Sequence, residues 1–268
     1  MHPLVNIAIK AIRSASKIIL RATDRLDTIQ VEEKSFNNFV TEIDQQAEQE
    51  IIKIIHNAYP NHAILGEESG PSGISDYTWI IDPIDGTTNF LHDNPHFCIS
   101  IGIQYKNRIE HGVIYDPLRQ ELFTATHGSG AFLNDHRIRI TQQKQFTKAV
   151  IASSLGNKNS KDIANYLKIS AAIFPQVAST RHSGSAALDL AYVACNRIDG
   201  MWGINLAPWD MAAGILIIQE AGGTVTDFNG THNYLTTGKL IASNQNITKT
   251  ILQIVKKKTL TVAPQVTI

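Results

Sequence analysis

Two aspartates close an apolar segment of this 268-residue chain. Residues 79–81 read Trp-Ile-Ile, and Asp82 and Asp85 follow three residues apart, directly before Gly86 and Thr87. An apolar strand that ends in two acids and a glycine favours a site where carboxylates hold a hard cation and the backbone approaches a ligand closely. Asp-Pro and Asp-Gly are also ordinary turn dipeptides, so this segment alone leaves a simple turn open.

Three other acids stand at the ends of predicted elements. Glu67 follows the short apolar run 63–65, where a solvated loop is an equal alternative. Asp210 falls in the first turn of a predicted helix, where an acid also suits the helix dipole. Asp44 follows Thr41 by three residues, the spacing of a capping box at the start of a helix. No one of these acids establishes a site by itself.

The combination of acids predicts more than any member does. If Glu67, Asp82, Asp85 and Asp210 converge, four carboxylates repel one another strongly unless cations lie among them. Two or three Mg²⁺ ions satisfy such an all-oxygen site. A carboxylate site with two metals suits the hydrolysis of phosphate esters, with a metal-activated water as the nucleophile.

The motifs resemble those of the inositol monophosphatase family, and most closely its bacterial SuhB-type members. The likeness extends from about residue 34 to 223 and rests on three motifs in order: Gly66-Glu67-Glu68-Ser69, Asp82-Pro83-Ile84-Asp85-Gly86-Thr87, and Trp209-Asp210 followed by Glu220-Ala221-Gly222-Gly223. The resemblance implies a Mg²⁺-dependent, lithium-sensitive phosphatase. It also implies an α/β (α+β) fold, a layered αβαβα sandwich of the sugar-phosphatase type, and a homodimer.

The same resemblance implies roles for particular residues. The metal ligands are Glu67, Asp82, the main-chain carbonyl of Ile84, Asp85 and Asp210. Catalysis involves Glu67, Thr87 and Asp44, with Thr87 orienting and deprotonating the attacking water. The phosphate and the rest of the substrate contact Ile84, Asp85, Gly86, Thr87, Arg181, Gly184, Ser185 and Asp210. Residues 34–39, beginning at Lys34, resemble the mobile metal loop of the family.

One position departs from the family pattern. Gly203 stands seven residues before Asp210, where members carry a glutamate that binds an inositol hydroxyl. Because glycine has no side chain to accept that hydrogen bond, inositol 1-phosphate competes here with related small sugar or polyol phosphates. Arg181 is the residue expected on the leaving-group side. Fructose 1,6-bisphosphatase or nucleotide 3′-phosphatase activity is the alternative reaction, and contacts with transcription factors are the alternative function.

The elements that must position these residues follow from periodicity and turn residues. Residues 63–125 predict a meander of mostly antiparallel strands, and strands alternate with helices after residue 141. Helices are predicted at 5–19, 41–58, 161–174, 185–195, 208–221 and 248–257. We expect an N-terminal α+β half, residues 1–145, and a C-terminal α/β half, residues 146–268, in one compact unit.

Composition narrows the class of partner. Lys and Arg number 24, as do Asp and Glu, so no net charge attracts the chain to nucleic acid or to a membrane. The two cysteines, Cys98 and Cys195, do not form a disulfide framework and fit a reducing, cytoplasmic location. Residues 5–19 have the spacing of an amphipathic helix, unlike a secretory signal. Any phosphate must therefore be held by a local site.

Overall fold

A computed structural model of the chain describes residues 2–24, 26, 31–35, 38–156 and 159–259; for 31–35, 38–40 and 259 it describes the backbone alone. The described helices are α1 Pro3–Thr23, α2 Glu42–Ala58, α3 Thr87–Leu91, α4 Ser160–Ile173, α5 Ala186–Ala194, α6 Pro208–Glu220, α7 Tyr234–Thr237 and α8 Gln245–Thr259. The strands are β1 Val31–Ser35, β2 Asn38–Thr41, β3 Ala63–Gly66, β4 Gly70–Ser72, β5 Tyr77–Asp85, β6 Cys98–Tyr105, β7 Arg108–Asp116, β8 Glu121–Thr126, β9 Gly130–Leu133, β10 His136–Arg137, β11 Val150–Leu155, β12 Ser179–Arg181, β13 Gly200–Ile204, β14 Thr224–Thr226 and β15 Leu240–Ser243. Among these residues, no helix is both long enough and apolar enough to cross a membrane.

The first sheet forms the meander that the sequence predicts. Its eight strands lie in the order β10-β9-β8-β7-β6-β5-β3-β4, and β3 and β5 are its parallel pair. Helices α1 and α2 pack together and cover one face, where a core of isoleucine, alanine and aromatic side chains forms. The strands β1 and β2 form a separate two-stranded hairpin.

The second sheet lies entirely after residue 149. Its order is β12-β11-β13-β15-β14, with β11 parallel to β12 and β13 and with β15 antiparallel to its neighbours. Helices α5 and α6 contact both sheets, while α4 and α8 cover the outer face of the second. The layers therefore run helix, sheet, helix, sheet, helix, which confirms the predicted αβαβα sandwich. The division into halves at residue 145 stays a prediction.

Helix α6 lies in the helical layer between the two sheets. It is buried on every side from Met211 to Ile218, as expected of a helix between two sheets. Gly102 of β6 and Gly112 of β7 face it: a Cβ on either would lie 2.7 Å from an atom of Ala212 or Ala213. Small residues thus let α6 approach the first sheet closely, and its N-terminus comes to the end of β5.

Short elements account for the differences from the sequence prediction. The pattern does not indicate β4, β9 or α3, because their segments of three to five residues are too short to show a periodicity. Glu220, in the third family motif, holds one of these segments: its carboxylate accepts the N–H groups of Gly128 and Gly130, both at 2.7 Å. That motif therefore fixes the turn between β8 and β9.

Candidate active site

A bulge in β5 brings Asp82 and Asp85 together. Side chains alternate between the faces of a strand, so residues three apart point to opposite sides. Against β6, however, Asp82 pairs with Ser100 and Asp85 with Cys98, so β5 gains one extra residue between them. Such a bulge re-aims the following side chain. A regular strand would place these two carboxylates on opposite faces of the sheet. The bulge places them next to each other instead.

Asp210 completes this cluster from the opposite side. It lies in the first turn of α6, and its Oδ2 accepts the N–H of Ala207 at 2.8 Å. The start of α6 is tied to the sheet because Ser100 Oγ donates to the carbonyl of Trp209. One oxygen from each of Asp82, Asp85 and Asp210 lies within 4.8 Å of the others. Three of the four carboxylates that the sequence predicts to converge are therefore adjacent.

The N-terminus of α5 donates hydrogen bonds to Asp85. Ser185 Oγ donates to Asp85 Oδ2 at 2.5 Å, and the N–H of Ala187 donates to the same oxygen at 2.7 Å. These hydrogen bonds stabilise the charged form of Asp85, and yet desolvation keeps its pKa above the ordinary value. Ser185, predicted as a substrate contact, is buried and holds Asp85.

Charge in the cluster is compensated poorly by the protein itself. Desolvation, and then repulsion by Glu67, Asp85 and Asp210, raises the pKa of Asp82 well above its usual range. Desolvation and the charges of Asp85 and Glu67 do the same for Asp210. A divalent cation relieves both effects, and an all-oxygen donor set fits Mg²⁺. The residues present therefore fit the predicted metal.

Glu67 and Ile84 border the same cluster. Glu67 follows β3, its N–H donates to the carbonyl of Ile81 at 3.1 Å, and its side chain lines the cavity beside Asp82. The carbonyl of Ile84 accepts the hydroxyl of Thr87 at 3.1 Å. Lys34 is described in its backbone alone, and Phe36 and Asn37 lie outside the described residues. The predicted metal loop thus stays a prediction.

Thr87 connects the cluster to α2. Its Oγ1 lies 3.1 Å from Asp44 Oδ1 as well as from the carbonyl of Ile84, so its single proton serves one of the two at a time. Asp44 is fully buried, and its Oδ2 accepts the N–H and the hydroxyl of Thr41. The predicted capping box is present, and its aspartate also reaches Thr87.

The turn after β5 requires its glycine. Gly86 has a φ of 103°, and a Cβ there would lie 3.1 Å from the carbonyl oxygen of His96 and 3.2 Å from that of Gly184. Asn89 closes this region, since its Nδ2 donates to the carbonyls of His96 and Ser183 at 2.7 and 2.8 Å. The backbone of this turn is therefore held at the cavity edge.

A cavity of about 660 Å³ joins these groups. Its lining includes Glu67, Asp82, Ile84, Asp85, Gly86, Thr87, Gly184 and Asp210 from the predicted set, and also Ser154, His182, Asn205 and Leu206 from the second half. Arg181 is not among the lining residues; its guanidinium donates to Ser179 Oγ and the carbonyl of Thr180. Its predicted contact with substrate stays a prediction.

The departure at Gly203 has a structural counterpart. A Cβ at this position would lie 2.5 Å from Cδ1 of Leu206, a buried side chain that also lines the cavity. The space beside residue 203 is thus filled by an apolar group. Sequence reasoning missed Leu206 because no motif assigns it a role, although it stands only three residues after Gly203.

The chain belongs to the inositol monophosphatase family, whose model matches residues 1–260. It is 47% identical over 258 residues to the Nus factor SuhB of Pseudomonas aeruginosa, and the aligned region covers 94% of this chain and 95% of that relative. Among solved structures it resembles the extragenic suppressor protein suhB from Bartonella henselae, with 39% identity, a TM-score of 0.92 and coverage of 96% and 99%. It also resembles the inositol monophosphatase from Anabaena (Nostoc) sp. PCC 7120, with 33% identity, a TM-score of 0.81 and coverage of 98% and 97%.

Proposed function

We propose that this chain is a Mg²⁺-dependent, lithium-sensitive phosphomonoesterase that hydrolyses inositol 1-phosphate or a related small sugar or polyol phosphate. The observation that carries the proposal is the convergence of Asp82, Asp85 and Asp210 within 4.8 Å, at a cavity open to a small ligand. Uncompensated carboxylates in a cleft are typical of a functional site. Membership of the inositol monophosphatase family supports the same reaction.

Five residues would hold the cations: Glu67, Asp82, Asp85 and Asp210 through carboxylates, and Ile84 through its carbonyl. When bound, Mg²⁺ supplies Lewis acidity that attracts the phosphate and lowers the pKa of a water. Asp85 is oriented by the hydroxyl of Ser185 and the N–H of Ala187, and Asp210 by the N–H of Ala207. Such supporting hydrogen bonds fix ligand orientation.

Thr87 and Asp44 are placed to handle the proton of the attacking water. As the water loses a proton to Thr87 Oγ1, Thr87 passes its own proton to Asp44 Oδ1 at 3.1 Å. Thr41 holds the other oxygen of Asp44, which keeps the carboxylate in position. The N–H groups of Gly86 and Thr87 would bind the phosphate. This chain's residues thus orient the nucleophile and receive its proton.

The leaving group would lie against the second half of the molecule. Its wall contains the apolar Leu206 beside Gly203, together with the polar Ser154, Asn205 and His182. Because the wall at Gly203 is apolar and has no charged acceptor for an inositol hydroxyl, we expect the site to accept a range of small monoesters. We extend the proposal to Arg181 as a contact at the outer side and to a homodimer as the working form.

The test is phosphate release from a panel of monoesters, with and without Mg²⁺ and Li⁺. We expect release from inositol 1-phosphate or another small polyol phosphate, loss of release in EDTA and inhibition by Li⁺. Fructose 1,6-bisphosphate and a nucleotide 3′-phosphate are included as the alternative substrates. Absence of release from every ester in Mg²⁺ would overturn the proposal.

A second function is favoured by the name of the curated relatives. Proteins called Nus factor SuhB in Pseudomonas aeruginosa and Escherichia coli are 47% and 45% identical to this chain. That name favours protein contacts in a transcription complex, which do not need the carboxylate cluster. Replacing the gene by an Asp85→Asn allele separates the two functions. A normal phenotype assigns the cellular role to protein contacts, and a null phenotype assigns it to hydrolysis.

A further inference from the structure

Helix α2 presents a second buried acid one turn after Asp44. Glu48 is 2% exposed, and its carboxylate accepts two consecutive main-chain N–H groups, that of Glu68 at 3.0 Å and that of Ser69 at 2.8 Å. The preceding N–H, that of Glu67, donates to the carbonyl of Ile81 at 3.1 Å. Three consecutive amides of the Glu67 loop are therefore fixed, two of them by one side chain.

Gly66 makes room for this carboxylate. A Cβ on Gly66 would lie 2.6 Å from Cδ and from both carboxylate oxygens of Glu48, a separation that non-bonded atoms do not adopt. The φ of Gly66 is not in the left-handed region, so a glycine is needed here because it leaves space and not because of its backbone conformation. The first residue of the family motif is thus explained by the acid on α2.

A carboxylate is the side chain that this position requires. Both of its oxygens accept, and each faces an N–H, so neither can be replaced by a donor without loss. A glutamine would direct its NH₂ group at one of the two amides and leave that amide unsatisfied. Burying a carboxyl group this deeply costs free energy unless hydrogen bonds compensate it, so packing alone does not account for it.

We propose that Glu48 is a positioning residue for the cation site. By fixing the backbone of Glu68 and Ser69, it holds the Glu67 carboxylate beside Asp82 before any cation binds. Together with Asp44, which reaches Thr87, it makes α2 the support for two separate segments of the site. This inference rests on the proposed function only in that it assigns Glu67 to the cations.

The test compares Glu48→Gln with Glu50→Gln, a matched control on the same helix whose acid contacts Ser14. Binding of Mg²⁺ is measured by calorimetry without substrate, together with the Mg²⁺ concentration for half-maximal phosphate release. We expect Glu48→Gln to weaken Mg²⁺ binding about 10- to 100-fold, the usual effect of losing a group that orients a ligand. The turnover rate at saturating Mg²⁺ should recover to within a few-fold, and Glu50→Gln should match the wild type.

A change in Mg²⁺ affinity of less than threefold in folded Glu48→Gln would overturn the inference, as would an equal change in Glu50→Gln. If Glu48→Gln does not fold, Glu48→Asp is used: it keeps both acceptors on a shorter side chain and should give an intermediate affinity. Unchanged affinity in Glu48→Asp, with a normal melting temperature, also counts against it. If the wild type binds Mg²⁺ but releases no phosphate, the proposed function fails and the role of Glu48 is still decided by affinity.

Discussion

Buried aspartates in two regions of the molecule differ in how their charge is compensated. Asp227, after β14, accepts the hydroxyl of Thr231 at 2.7 Å and the N–H groups of Asn229 and Thr231, both at 2.8 Å. Although desolvation acts against them, these hydrogen bonds lower its pKa. Asp82 has equally little exposed surface and accepts the N–H of Ile84, but stronger desolvation, and then the charges of the neighbouring acids, raise its pKa well above the usual range.

The difference shows that burial does not by itself mark a functional acid. Asp116 and Asp199 resemble Asp227: the buried Asp116 accepts two main-chain N–H groups of a turn, and the half-buried Asp199 accepts the N–H of Val150 and the hydroxyl of Thr141. Those acids have a structural role, and hydrogen bonds within the protein satisfy their carboxylates. In the cluster of Asp82, Asp85 and Asp210 the acids repel one another and raise one another's pKa, and we propose that a cation completes this site.

The largest expected effect separates these two kinds of aspartate by activity. Asp85→Asn should lower kcat/KM for phosphate release about 10³-fold, because it removes charge that stabilises the transition state through the cation. Asp227→Asn should retain activity within a few-fold at a temperature where it is folded. Equal losses in both variants, measured on the best ester of the panel, would contradict a functional difference between the two aspartates.

Thr87 belongs to the site without carrying charge, so its substitution tests proton transfer separately from cation binding. Thr87→Ala should lower kcat about 10²-fold, since it removes the group that accepts the proton, and should leave Mg²⁺ binding unchanged. Thr87→Ser should restore most of the rate because the hydroxyl is kept. The control is Thr236, which is exposed and is not among the residues that line the cavity. If Thr236→Ala and Thr87→Ala lose the same activity, the proton role is wrong.

The same two regions should respond oppositely when stability is measured without metal. Asp82→Asn should raise the free energy of unfolding in EDTA by about 1 to 2 kcal/mol, because it removes repulsion at a site maintained for function. Asp227→Asn should lower it by about 1 to 3 kcal/mol by leaving donors unsatisfied. Urea unfolding of both variants measures these changes. Destabilisation by Asp82→Asn in EDTA would contradict uncompensated charge in the cluster.

The pH dependence of stability should show the smallest but most general difference. The folded pKa of Asp82 lies above the ordinary value of 3.8, so the folded metal-free protein binds its proton more tightly than the unfolded chain does. That contribution to stability is present below pH 3.8 and is lost as pH rises through the folded pKa. Asp227, with a lowered pKa, contributes stability above pH 3.8 that is lost as pH falls.

Urea unfolding from pH 4 to 8 in EDTA, with Asp82→Asn for comparison, measures the pH dependence. The wild type should lose more stability than the variant as pH rises, and saturating Mg²⁺ should remove the difference in slope. Parallel curves in EDTA would mean that Asp82 titrates alike in the folded and unfolded states.

Much of this arrangement could be predicted from sequence, because the fold places the ends of apolar elements at one edge of a sheet. Asp82, Asp85 and Asp210 each stand at such an end, and their motifs resemble one family. The bulge in β5 could not be predicted, since the spacing of Asp82 and Asp85 by itself favours opposite faces. Sequence therefore indicated the acids of the cluster but not the geometry that joins them.

The supporting residues were hidden for a different reason. Glu48 has the position of an ordinary polar residue on an amphipathic helix, and its partners lie twenty residues away along the chain. Leu206 stands only three residues after Gly203, but the segment that joins them has no periodicity that would predict the contact. The contacts of Glu48 depend on tertiary packing, and periodicity carries no information on them.

The most direct test of the central claim is the removal and return of Mg²⁺ on the wild-type protein. After treatment with EDTA and exchange into metal-free buffer, release of phosphate from inositol 1-phosphate, or from the best ester of the panel, should fall to background. Adding Mg²⁺ should restore it with saturation, while Ca²⁺ serves as a cation of the same charge but larger size. Phosphate release that continues undiminished without Mg²⁺ would contradict the assignment of the aspartate cluster as a catalytic cation site.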